Sequence, residues 1–110
     1  MPEGSQARQP AVVTLPAEID ATNNDHVQAL LDSAGAPGIT TVIADLTGTT
    51  FCDSAGFRVL TRAHLAAAAR GVQMRFAVVP GGVVSRMLRL LDLDHLLSVY
   101  PTLDAALRGK

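Results

Sequence analysis

The sequence is poor in the residues that usually announce chemistry. Its 110 residues include one cysteine, no tryptophan, one tyrosine, three phenylalanines and three histidines. A lone thiol, Cys52, excludes an internal disulfide and a multi-cysteine zinc site, and fits a reducing, cytoplasmic setting. The histidines, His26, His64 and His95, lie far apart in the chain. There is no His-x-x-x-His, no Cys-x-x-Cys and no acidic calcium loop, so no metal and no cofactor is expected. An excess of one charge is also missing. Nine basic and ten acidic residues give a formal net charge of −1, with no block of either sign. This argues against a nucleic-acid or membrane-surface partner, which needs a basic footprint. No apolar run reaches the ~18 residues of a membrane span, and residues 1–10 lack the apolar core of a signal peptide.

What is there is mostly aliphatic. Hydrophobic residues make up 48% of the chain and aromatics 4%, so the core must be built from Leu, Val, Ile and Ala. A chain of this length is expected to form one domain with one core. Residues 1–10 (MPEGSQARQP) show no pattern and read as a flexible arm, leaving 11–110 as the domain. Residues 11–15 are short, apolar and β-branched, a strand halted by Pro16. Asn23 or Asn24 is a fitting N-cap for a helix to Ser33, with Val27, Leu30, Leu31 and Ala34 on one face. Residues 41–46 read as a buried strand and 54–70 as a helix carrying Phe57, Leu60, Ala63 and Ala67, closed by Gly71. Residues 73–79 alternate Met74, Phe76 and Val78 inward. A helix over 83–91 places Val84, Met87, Leu88 and Leu91 on one side. A short strand over 96–100 and a helix over 103–108, capped by Thr102, complete the chain. The order β-α-β-α-β-α-β-α predicts a mainly parallel sheet with right-handed crossovers.

The densest signal is Asp45-Leu46-Thr47-Gly48-Thr49-Thr50-Phe51-Cys52-Asp53-Ser54-Ala55-Gly56. A strand feeds a small-residue turn, and the turn delivers Asp53-Ser54 to a helix start. Ser54 has two roles open to it at this point. As an N-cap it satisfies a backbone N–H. As a phosphoacceptor it would carry about −1.5 to −2 charge at pH 7, welcomed by the helix N-terminus and set against the carboxylate of Asp53. A hydrolase nucleophile fits poorly, because the first glycine of a Gly-x-Ser-x-Gly elbow is absent and no histidine comes with a base motif. Cys52 reads as a small buried side chain without a resolving partner. Gly81-Gly82 lacks the Gly-Lys-Ser/Thr ending of a phosphate loop and reads as a turn. Arg86 and Arg89 read as a solvated face, and Asp92-Leu93-Asp94 as a helix end with Leu96-Leu97 packing down. Since loops after parallel strands gather on one sheet edge, Glu18-Ile19-Asp20 and residues 47–54 should be neighbours there, a docking surface.

The run over 45–56 closely resembles the signature of STAS domains, specifically the bacterial anti-sigma factor antagonists. Ala17-Glu18-Ile19-Asp20 resembles their Gly-Glu-Leu/Ile-Asp segment, and residues 90–107 resemble their C-terminal third. The resemblance spans about residues 12–108. It implies a STAS-like α/β fold, a mixed, mostly parallel sheet of four to five strands with about four helices packed mainly on one face. It implies no enzyme activity in this chain. The partner implied is an anti-sigma factor that is also a serine kinase. The unphosphorylated antagonist binds it and frees the sigma factor, phosphorylation at Ser54 switches binding off, and a phosphoserine phosphatase resets the switch. The contact surface implied is Glu18, Asp20, Asp53, Ser54, Ala55, Gly56 and Arg58. The alternative is a STAS adaptor subunit of another assembly, such as a stress-signalling complex or a lipid-transport ATPase. The chain departs from the family pattern in three ways. Ala17 stands for the usual Gly, Phe57 stands where Leu is commoner, and the family's first strand would have to come from residues 1–10, which leaves a sheet edge open.

Overall fold

The computed structural model describes residues 9–110; most of the arm expected over residues 1–10 lies outside that range. In chain order the elements are β1 (Ala11–Thr14), β2 (Glu18–Ile19), α1 (Asn24–Ser33), β3 (Thr41–Asp45), β4 (Phe51–Cys52), α2 (Ser54–Ala69), β5 (Gln73–Ala77), α3 (Val83–Leu90), β6 (Ser98–Tyr100) and α4 (Leu103–Arg108). The main sheet has the order β1-β3-β5-β6, and β2-β4 form a separate two-stranded ribbon. Among the described residues every pairing is parallel, and among them β1 stands at one end of the sheet order. The alternation expected from sequence is therefore present, with β2 and β4 added. Two-residue strands carry no readable period, so both segments look like loop in the sequence.

Side chains alternate between the two faces of the sheet. Val42, Ala44, Met74 and Phe76 face a core completed by Val27 and Leu31 of α1, Phe57, Leu60, Ala63 and Ala67 of α2, and Val84 and Leu88 of α3. Ile43 and Ala77 point to the opposite face and are covered by Ala106 of α4, with Leu103 and Tyr100 beside them. Strand β3 is buried on both faces, which is why its centre is uninterrupted Val-Ile-Ala. Three helices thus cover one face and the short α4 the other. Arg75 ties α4 down: its Nη1 donates to the Ala106 carbonyl at 2.8 Å, and its guanidinium lies 5.9 Å from the Tyr100 ring centroid.

Helix ends decide what reaches the surface. Helix α2 closes on Gly71 at φ +76°, where Val72 N–H donates to the Ala67 carbonyl at 2.8 Å and Gly71 N–H to Ala68 at 3.0 Å. Helix α3 closes in the same way, with Leu93 N–H on Leu88 and Asp92 N–H on Arg89, but its left-handed residue is Asp92 at φ +57°. This reversal ends α3 at Leu90, one residue before the expected limit. Leu91, expected in the apolar stripe, still donates its N–H to the Met87 carbonyl at 2.9 Å and is 41% exposed. Likewise Leu97 packs into the core while Leu96 is exposed; the turn that follows the reversal admits one leucine, not both.

Candidate functional site

The C-terminal ends of parallel strands share one edge, and the loops after β1 and β3 meet there. Asp45 begins the second loop by accepting from Thr47, backbone N–H at 2.9 Å and hydroxyl at 2.6 Å, a local turn of the kind Asp favours. Thr49, the one buried polar residue among those described, donates its hydroxyl to the Pro16 carbonyl at 2.8 Å. Thr50 and Phe51 N–H both donate to the Ala17 carbonyl, at 2.8 and 3.3 Å, and Asp53 N–H donates to Ile19 at 3.1 Å. The ladder between β2 and β4 pairs Glu18 with Phe51 and Ile19 with Cys52. The two segments expected as neighbours are thus one hydrogen-bonded unit. Ala17 is not among the residues with positive φ, so it takes the glycine position of the family pattern without backbone strain.

Asn23 stands at the N-cap position of α1, yet its side chain does not cap that helix. Its Nδ2 donates to the Glu18 carbonyl at 2.7 Å, and its Oδ1 accepts from Asp20 N–H at 3.0 Å. It is spent on fixing the Glu18-Ile19-Asp20 segment. Asp20 in turn accepts from the Thr22 hydroxyl and from Thr22 N–H at 2.9 Å, which holds its carboxyl below the ordinary value of 3.8.

At the start of α2 the cap is Asp53, not Ser54. Asp53 is extended (φ −82°, ψ 176°) and its Oδ1 accepts from Gly56 N–H at 2.8 Å. Ser54 becomes the first helical residue. It is exposed, and its hydroxyl has no hydrogen-bond partner among the described residues. Gly56 is buried: a Cβ there would lie 2.7 Å from Cys52 Sγ and 2.8 Å from Ile19 Cγ2. Of the contact residues expected from sequence, Glu18, Ser54 and Arg58 are exposed, Asp20, Asp53 and Ala55 are half-buried, and Gly56 is covered. Gly56 therefore acts by letting the start of α2 press onto Ile19 of β2 and Cys52 of β4.

One feature escaped the sequence. Between α2 and the segment after α3 lies an open groove of about 410 Å³. Phe57, Leu91 and Leu93 supply its apolar wall, Arg58 and Arg62 stand along α2, and Ser54 marks its end. A third leucine, Leu90, is 78% exposed beside it in sequence. The surplus of leucine over what the α3 stripe needs is the signal that was there to be read.

The chemistry these groups offer is anion acceptance. The first turn of α2 presents free N–H groups and the positive end of a helix dipole next to an exposed hydroxyl. The hydroxyl has no base hydrogen-bonded to it among the described residues. Burial, with Asp53 adding to it, pushes the Cys52 thiol up to about 12, which keeps it protonated and inert. Asp92, Asp94 and His95 bring potential ligand atoms within 4.8 Å of one another, on a loop where Asp92 and His95 are largely solvent-facing. No helix among the described residues is long and apolar enough to cross a membrane.

Comparison with known proteins places these observations. The STAS domain family matches residues 3–106. Rv2638 of Mycobacterium tuberculosis (strain ATCC 25618 / H37Rv), named as an anti-anti-sigma factor, is 32% identical over 93 residues, 82% of this chain and 62% of that protein. The chain thus spans about three-fifths of that relative's length. Among solved structures, an anti-sigma factor antagonist from Mycobacterium paratuberculosis superposes with a TM-score of 0.77 at 22% identity, covering 96% of this chain and 88% of the other. A Thermotoga maritima protein named as an anti-sigma factor antagonist gives a TM-score of 0.72 at 22% identity, covering 90% and 86%. At these identities the two structures bear on the fold alone.

Proposed function

The chain belongs to the STAS domain family, and from that premise we propose that it is an anti-sigma factor antagonist switched at Ser54. The unphosphorylated chain binds an anti-sigma factor that is also a serine kinase, and the sigma factor is freed. The kinase brings the nucleotide, magnesium and the general base. Ser54 Oγ bonds to the γ-phosphorus as the bond from that phosphorus to the β–γ bridging oxygen breaks. The hydroxyl proton passes to the kinase's base, and ADP leaves with the bridging oxygen. A phosphatase returns the serine by adding water across the Oγ–P bond.

The observation that carries this reading is the division of labour between Asp53 and Ser54. Because Asp53 caps α2, the Ser54 hydroxyl is exposed and free of structural duty. A phosphate there leaves the cap intact and meets the positive end of the helix. Toward a partner seated over Glu18, Asp20, Asp53, Ala55 and Arg58, the same phosphate adds charge at the centre of the contact. The name of the M. tuberculosis relative supports the anti-sigma partner. Incubation with the kinase and ATP, followed by mass spectrometry, tests the assignment. A single phosphate on Ser54, absent from Ser54→Ala, is expected; phosphate on another residue, or none, overturns it.

A further inference from the structure

Arg58 stands one helical turn after Ser54, and both border the same groove. Residues four apart share a helix face, and four residues rise about 6 Å. Long helical side chains tend to lean back toward the helix N-terminus, a direction that brings a guanidinium at position 58 within reach of a group at position 54. Arg58 is exposed and has no hydrogen-bond or ion-pair partner among the described residues. The Asp53 Oδ1 is engaged by Gly56 N–H, Asp92 and Asp94 lie within 4.0 Å of His95, and Arg62 is a further turn along α2. Among the described residues, no carboxylate lines the groove.

We infer that Arg58 is the built-in counter-ion of a phosphate on Ser54, and that it leaves the groove when the switch is set. The inference rests on Ser54 being the phosphoacceptor. A guanidinium one turn away forms charge-assisted bonds to a phosphate, whereas with a free serine it stands unpaired beside Phe57 and Leu91, open to a partner's carboxylate. Phosphorylation then acts twice: it adds negative charge at the centre of the contact surface, and it withdraws a cation from the groove.

The test uses the full chain with phosphoserine genetically encoded at position 54, so no kinase enters the readout. The phosphate is titrated by ³¹P NMR, and the Arg58 Nε–H signal is followed by ¹⁵N NMR. Arg58→Gln is expected to raise the phosphate's second pKa by about half a unit, roughly a three-fold change in proton affinity. Arg58→Lys should retain part of the effect, and Arg62→Gln should change it much less. The Arg58 Nε–H signal should shift on phosphorylation. An equal response to Arg58→Gln and Arg62→Gln, or an unmoved Arg58 signal, overturns the inference and leaves the phosphate to the Ser54 and Ala55 N–H groups. A chain that no kinase phosphorylates would count against the proposed function while this titration stayed readable. A flat titration beside a positive kinase assay would remove Arg58 alone.

Discussion

Replacing Gly56 by alanine probes the contact on which the position of Ser54 depends. The added Cβ would sit 2.7 Å from Cys52 Sγ and 2.8 Å from Ile19 Cγ2. Both neighbours are buried, at 4% and 0% exposure, so neither moves aside into solvent. Overpacking of this kind costs about 1–3 kcal/mol. Alanine returns up to about 1 kcal/mol through helix propensity. The net expectation is a loss of about 1–2 kcal/mol, which for a domain of this size lowers Tm by roughly 5–15 °C. Thermal unfolding followed by circular dichroism measures it. A double-mutant cycle identifies the cause. Cys52→Ala alone should cost roughly 1 kcal/mol, and in the Gly56→Ala background it should cost less, with a coupling of at least about 0.5 kcal/mol. A Gly56→Ala protein as stable as the parent, or strict additivity with Cys52→Ala, would refute the reasoning.

Asp53→Ala should destabilise the fold by about 1 kcal/mol through loss of the α2 cap, whereas Asp53→Asn should stay near the parent in a urea titration; equal losses would show that charge, not capping, is at work. Cys52, pushed up to about 12, should react with iodoacetamide at pH 8 far more slowly in the native protein than in urea, and equal rates would contradict its burial. Asp20 has its folded value lowered by Thr22, so its contribution is complete above the unfolded carboxyl value near about 4 and is lost as pH falls through the lower folded value. The stability gap between the parent and Asp20→Asn should therefore close on acidification below about pH 4, and a gap that widens there would reverse the sign.

The elements longest in sequence were the easiest to read. The 3.6-residue spacing of Phe57, Leu60, Ala63 and Ala67 and the alternation of Met74, Phe76 and Val78 correspond to α2 and β5, because one burial face dictates each pattern. Beyond them, the signals were non-local. Asn23 has the residue type of a cap, but its side chain bonds the Glu18-Ile19-Asp20 segment instead. Asp53 and Ser54 are both good caps, and the choice falls to Asp53 because its N–H is held by Ile19 from another strand. Leu91 fits the stripe of α3, yet it is 41% exposed and lines the groove beside Ser54. The neighbourhood of the Glu18-Ile19-Asp20 segment and residues 47–54 followed from strand direction alone, while the two-residue ribbon that joins them left no period to find.

The central claim is that a phosphate on Ser54 separates this chain from its partner without unfolding it. The direct measurement is isothermal titration of the anti-sigma factor with the serine form and with the Ser54-phosphorylated form, each checked for an unchanged Tm. The account predicts that affinity falls by about 100-fold or more, the scale of a like-charge clash of roughly 3 kcal/mol. Equal affinity of the two forms, with both fully folded, would contradict it.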